Sequence, residues 1–129
     1  MLAFVGATFA CGPGRGASAP KELQRLRAGT IDVVLLSLRD GLHHGKDAFI
    51  MEFRSAPDGR LMDVGDVRAT ASMPMAGMPM FGSVEVRRTD VAGRYAADGD
   101  FGMAGTWRMT VQWAGSAGEG SVSFAEAVQ

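Results

Sequence analysis

Cysteine occurs once in the 129 residues, at Cys11, so no internal disulfide can form. Histidine is confined to the adjacent pair His43-His44. No long hydrophobic run is present to serve as a mature membrane span: the apolar stretch Leu2 to Ala10 is far too short. Charge of one sign is missing too, with 13 Lys and Arg against 14 Asp and Glu and a formal net charge of -1. The cations are scattered and form no basic stripe, which argues against nucleic acid and anionic membrane surfaces as partners. Asp58, Asp63, Asp66, Asp90, Asp98 and Asp100 lack calcium-loop spacing, and the glycines at 12–16 follow no strand that would make them a phosphate loop. No serine or threonine sits in a nucleophile motif, so the expectation is a protein that is not an enzyme.

The N-terminus differs from the rest. Leu2 to Ala10 reads as the apolar region of an export signal, Cys11 as the lipidated cysteine of a bacterial lipoprotein, and the Gly/Pro/Ser/Ala-rich stretch that follows as a tether. Residues 1–20 are therefore read as a lipoprotein-like leader and tether, and residues 21–129 as one domain. Thr8 departs from the Leu or Val usual at its position, and no Lys or Arg precedes the apolar run. The expected location is periplasmic or otherwise extracytoplasmic, with membrane contact only through the N-terminal anchor. A cytosolic protein with an apolar N-terminus is the competing reading.

Abundant glycine (18 residues) with recurring Val, Phe, Trp and Thr favours short strands and tight turns. Lys21 to Arg27, with Leu23 and Leu26 three apart, reads as a short turn of helix or a continuation of the tether. Ile31 to Leu38 is apolar on both faces, predicting a strand covered on both sides. Asp47 to Arg54 alternates through Phe49, Met51 and Phe53, and Thr106 to Trp113 through Trp107, Met109, Val111 and Trp113. Leu61 to Ser72 reads as one strand whose phase slips at Gly65-Asp66, as a β-bulge would produce. Ser83 to Arg88, Gly93 to Ala97 and Gly120 to Val128 complete a set of about seven. The pattern predicts an all-β fold, an immunoglobulin-like antiparallel β-sandwich.

The richest chemistry lies in Met73-Pro74-Met75-Ala76-Gly77-Met78-Pro79-Met80, where four of nine methionines fall within eight residues. Thioethers are soft and polarizable, and either fill irregular apolar gaps or coordinate soft metals, Cu(I) foremost. Each proline pushes the methionine before it toward an extended conformation, which would point Met73 with Met75 and Met78 with Met80. Ala76-Gly77 suits a type II turn, with glycine taking the positive φ. Alternating strand directions place the His43-His44 loop, the methionine loop and the loop carrying Phe101 and Met103 at one end of the fold. The candidate ligands are thus Met73, Met75, Met78, Met80 and Met103, with His43 or His44 as an imidazole contributor that would also admit Cu(II). Zinc fits poorly, because thioethers are weak ligands for it. An apolar lid in which the methionines pack with Phe81 and Phe101 accounts for the same residues, and residue types alone leave both readings open.

The chain resembles the YtkA-like family, related in style to FixH-type and copper-handling exported domains. The resemblance rests on the segment Met73 to Met80, on Gly93-x-Tyr95, and on Phe101-Gly102-Met103-Ala104-Gly105-Thr106-Trp107 running into Arg108 to Val111. It covers roughly Thr30 to Phe124. It implies a small exported or lipid-anchored protein that handles copper, with copper efflux or cytochrome oxidase assembly proteins as partners. No histidine lies within the methionine segment itself, a departure that leaves the imidazole contribution to His43 or His44. A chaperone or carrier is the expected role; a metal-free module that docks on an efflux or oxidase-assembly partner is the alternative.

Overall fold

Alternating apolar and polar side chains set most of the elements in the computed structural model, which describes residues 19–129. The leader and the lipidation reading at Cys11 lie outside the described residues. Eight strands follow in order: β1 (Lys21–Ala28), β2 (Ile31–Ser37), β3 (Gly45–Ser55), β4 (Asp66–Met73), β5 (Met80–Arg88), β6 (Arg94–Phe101), β7 (Gly105–Gly115) and β8 (Gly118–Val128). In β7 the inward set Trp107, Met109, Val111 and Trp113 is buried while Arg108 and Gln112 are exposed, as the alternation requires. β2 is buried on both faces, with Val33 and Leu35 in the core and Val34 and Leu36 shielded on the opposite side.

The all-β, antiparallel class matches expectation, but the arrangement differs from an immunoglobulin-like sandwich of about seven strands. All eight strands join in one sheet ordered β1-β2-β3-β6-β5-β4-β7-β8. Its ends return to each other: the Gln24 amide of β1 donates to the Glu126 carboxylate of β8 at 2.6 Å and to the Ala125 carbonyl, so the sheet is nearly closed. β5 prevents a split into two sheets. Its Met80–Gly82 segment pairs with β4, and Ser83–Arg88 pairs with β6. The partner changes at Gly82, where a Cβ would lie 2.7 Å from the Asp100 carbonyl oxygen.

The eighth strand is the segment read as a helical turn. Lys21–Ala28 pairs with β2, and its register shifts between Glu22 and Gln24. In a regular strand Leu23 and Leu26 would face opposite sides; the bulge lets both pack against the core. A three-residue apolar spacing was therefore a strand with a bulge and not a helix.

The continuous strand expected from Leu61 is also corrected. Leu61 makes only an isolated bridge to Arg54, and β4 begins at Asp66 after Gly65, whose φ is 90°. The chain crosses there from β3 to the β7 side without reversing, so strand directions still alternate. The β2–β3, β4–β5 and β6–β7 connections consequently share one end of the fold, together with the end of β8.

Two aromatic groups fill the interior. Phe53 stacks edge-on against Tyr95 and Trp113 (both 5.3 Å between centroids) toward one end. Phe49, Phe101 and Trp107 (6.5 and 5.5 Å) occupy the end where the three connections meet. Each such ring contributes about 1.5–3 kcal/mol by leaving water.

Candidate functional site

The Phe49–Phe101–Trp107 group forms the floor beneath the methionine loop. β4 and β5 pair for only three positions, closing at Met73 opposite Met80. Directly opposed residues present their side chains to the same face, and here that face is inward. Met73 is 7% exposed, and Met80 is half-buried against the core. A Cβ on Gly105 would lie 2.6 Å from the Met73 methyl, and one on Gly102 would lie 3.2 Å from the Met80 sulfur. The two inward thioethers therefore lie close against the β6–β7 connection, where a side chain in place of either glycine would make a methionine tip shift.

Between these anchors the loop turns outward. Met75 is 46% exposed and Met78 is 78% exposed, while Gly77 takes a φ of 88°, the positive value expected of it. The pairs that share a direction are thus Met73 with Met80 inward and Met75 with Met78 outward. The sequence-based pairing of i with i+2 assumed an extended chain through Pro74 and Pro79. The ladder instead stops at Met73 and resumes at Met80.

Met103 occupies the β6–β7 connection with its side chain 40% exposed. Its carbonyl accepts the Trp107 indole N–H at 2.9 Å, which ties the connection to the aromatic floor and leaves the thioether free of that role. Three exposed thioethers on two loops, with two inward ones beneath, make up the methionine part of the site.

The histidines stand at the same end, between the ends of β8 and β6. Leu42 bridges to Val128, and Gly45, next to His44, pairs with Phe101, so one inter-strand spacing, roughly 5 Å, separates the end of the histidine loop from the start of the β6–β7 connection. The loop is held by Asp47, which accepts the His43 backbone N–H at 2.8 Å and the Arg39 guanidinium at 3.3 Å. His44 is exposed, and its Nδ1 lies 2.8 Å from the Gln129 carbonyl. A carbonyl only accepts, so Nδ1 carries the proton and Nε2 of the neutral ring keeps its lone pair, the arrangement of a metal-ligating histidine. His43 is held differently: its Nε2 is shielded from solvent, has no hydrogen-bond partner, and sits 3.6 Å from an Asp40 carboxylate oxygen.

Among the described residues, no three of His, Cys, Asp and Glu gather as a metal cluster. The donors available at this end are thioethers with a separate imidazole, a set suited to a soft ion. The strongly paired carboxylates lie toward the other end of the sheet. Burial pushes Glu52 upward, but the Arg94 and Arg54 guanidiniums (2.6 and 2.9 Å) outweigh it and hold the carboxyl below the usual range. Asp63 is lowered by the Gly65 backbone N–H and by Arg88, and Asp32 by Arg27. Gly93-x-Tyr95 belongs to this other end. A Cβ at Gly93 would meet the Met62 backbone at 2.7 Å, and the Tyr95 hydroxyl donates to the Gly65 carbonyl at 2.8 Å. That motif is structural. The cross-strand Met73–Met80 pair escaped sequence reasoning; the signal for it was the hairpin itself, whose closing pair flanks the two prolines.

No curated protein and no solved structure is significantly similar to the chain. The family model described as YtkA-like matches residues 27–112, more than half of the chain, spanning both histidines and all five methionines considered above. The chain therefore belongs to the YtkA-like family.

Proposed function

We propose that the domain is an exported, lipid-anchored copper carrier that holds Cu(I) through thioethers of its methionine loop. The supporting observation is the outward placement of Met75, Met78 and Met103 at one end of a fold that buries Met51, Met73 and Met109. Full burial of such a side chain is worth about 1.5–3 kcal/mol; Met78 forgoes most of that and Met75 and Met103 a part of it, a cost that metal binding would offset. Two or three of these sulfurs satisfy a low-coordinate Cu(I), and Met80 or Met73 is within the same hairpin. His44, with Nε2 free, is the imidazole better placed to add Cu(II) binding; His43 would have to rotate out of its shielded position. Open thioether ligands suit transfer to a partner, and copper efflux or cytochrome oxidase assembly proteins are the partners this role implies. The role is delivery and not catalysis. Cys11 would supply the anchor, placing the domain on the outer side of the cytoplasmic membrane.

Competition of the full chain against a Cu(I) chelator tests the reading. Micromolar or tighter binding is expected, weakened by Met75→Leu with Met78→Leu, which keep volume and remove the donors. Unchanged affinity in that double variant would overturn it.

One observation favours a second reading. Phe81, next to Met80, is 76% exposed and can ligate nothing, so this end also fits a metal-free module that docks an apolar partner surface. Phe81→Ser would then abolish partner binding, whereas in the carrier it would leave Cu(I) affinity intact.

A further inference from the structure

Exposure sorts the methionines of the described residues into distinct groups. Met51, Met73 and Met109 are buried, Met62 and Met80 are half-buried, and Met75, Met78 and Met103 are 46%, 78% and 40% exposed. We propose that Met75, Met78 and Met103 form an oxidative modification site, at which peroxide converts thioethers to sulfoxides and disarms the loop without unfolding the domain. The consequence for metal rests on the copper reading; the pattern of modification does not.

The step needs no catalyst. A sulfur lone pair attacks one oxygen of hydrogen peroxide, the S–O bond forms as the O–O bond breaks, and the proton on the transferred oxygen passes to the departing hydroxide as water. Sulfur loses two electrons and the peroxide gains them. Rate follows access of the oxidant to sulfur, which exposure sets. The product carries a hard oxygen acceptor where a soft donor stood, and Cu(I) discriminates against that change.

The fold is arranged so that these sulfurs can be altered at little structural cost. Met75 and Met78 lie between Pro74 and Pro79, outside the hydrogen-bonded ladder, and the hairpin is closed by Met73 and Met80. At Met103 the group that holds the structure is the carbonyl bonded to Trp107, not the side chain. A sulfoxide on Met73 would instead bring an unsatisfied polar oxygen against Gly105 and the core. The outer set is modified while the inner pair keeps the hairpin shut, and methionine sulfoxide reductases supplied with a dithiol reductant restore each thioether, the thiols closing to a disulfide and the oxygen leaving as water.

The test is limited hydrogen peroxide treatment of the metal-free full chain, mapped by peptide mass spectrometry over time so that Cys11 oxidation is read separately. Met78 should be oxidised first, followed by Met75 and Met103, with Met51, Met73 and Met109 slower by about tenfold or more. Circular dichroism should stay unchanged while the outer set is converted. Oxidation of Met73 or Met109 as fast as Met78, or unfolding in step with the outer set, would overturn the site. Chelator competition then reads the consequence. The oxidised chain should bind Cu(I) at least about tenfold more weakly and recover after methionine sulfoxide reductase treatment; equal affinity before and after oxidation would overturn the switch. Should the unoxidised chain bind no Cu(I), the copper reading and the switch fall together, while the oxidation map still decides the modification site.

Discussion

Met73 and Met78 belong to one short segment yet meet opposite surroundings, the first 7% and the second 78% exposed. The difference comes from the ladder. Met73 is the last residue of β4 and faces the core, whereas Met78 lies between two prolines where no strand fixes its direction. Truncating each side chain should therefore separate structure from chemistry. Met73→Ala removes buried atoms pressed on Gly105 and is expected to cost about 2–5 kcal/mol. Met78→Ala should change stability by no more than about 0.5 kcal/mol. Urea denaturation midpoints, compared at constant slope, measure both. A Met78→Ala cost as large as that of Met73→Ala would mean that the loop is a packed lid.

At the scale of elements, the β4–β5 hairpin needs only its closing pair, Met73 opposite Met80. Replacing residues 74–79 by Asn-Gly supplies the two-residue turn that such a pair accepts, as Ser116-Ala117 already does between Gly115 and Gly118. The shortened protein is expected to keep its β-sheet circular dichroism and to lose high-affinity Cu(I) binding. Gly93 makes the contrasting case at the other end of the fold. With φ of 87° and the Met62 backbone 2.7 Å from a would-be Cβ, Gly93→Ala combines strain of about 1–3 kcal/mol with a backbone clash. Gly77→Ala, with a φ of 88° and open space, carries the conformational cost alone. Thermal melts of the two variants should rank Gly93→Ala as clearly the less stable.

The same scale shows what could be read from sequence. Strands with strict alternation or two-sided burial, β2, β3 and β7, were legible because side-chain direction in a strand is fixed by period. The shared end of the three connections followed from alternating directions alone, since the crossing at Gly65 does not reverse the chain. β1 was illegible because its bulge gives Leu23 and Leu26 the spacing of a helix. The joining of the strands into one sheet was hidden because nothing in Met80 to Arg88 shows that a strand changes partner midway, apart from Gly82. Within the site, the thioethers were visible as residues, but their division into inward and outward pairs depended on where the ladder stops.

For the whole molecule, the strongly paired carboxylates and the site chemistry occupy opposite ends. Asp32, Glu52 and Asp63 are all held below their usual pKa by guanidinium or backbone partners. A carboxylate lowered on folding stabilises the protein above its unfolded pKa, and that contribution fades as pH falls through the folded value. With unfolded values of about 3.9 for Asp and 4.3 for Glu, the melting temperature should be level from about pH 7 to 5 and fall below about pH 4. Melts across that range check this, and a midpoint that rises on acidification would contradict it. The domain thus stays folded at mildly acidic pH while the thioethers, which do not titrate, keep their donor strength. X-ray absorption at the copper edge of the Cu(I)-loaded full chain tests the central claim most directly. A first shell dominated by sulfur, lost in the Met75→Leu, Met78→Leu variant, is the predicted result; a shell of nitrogen and oxygen alone, unchanged in that variant, would contradict it.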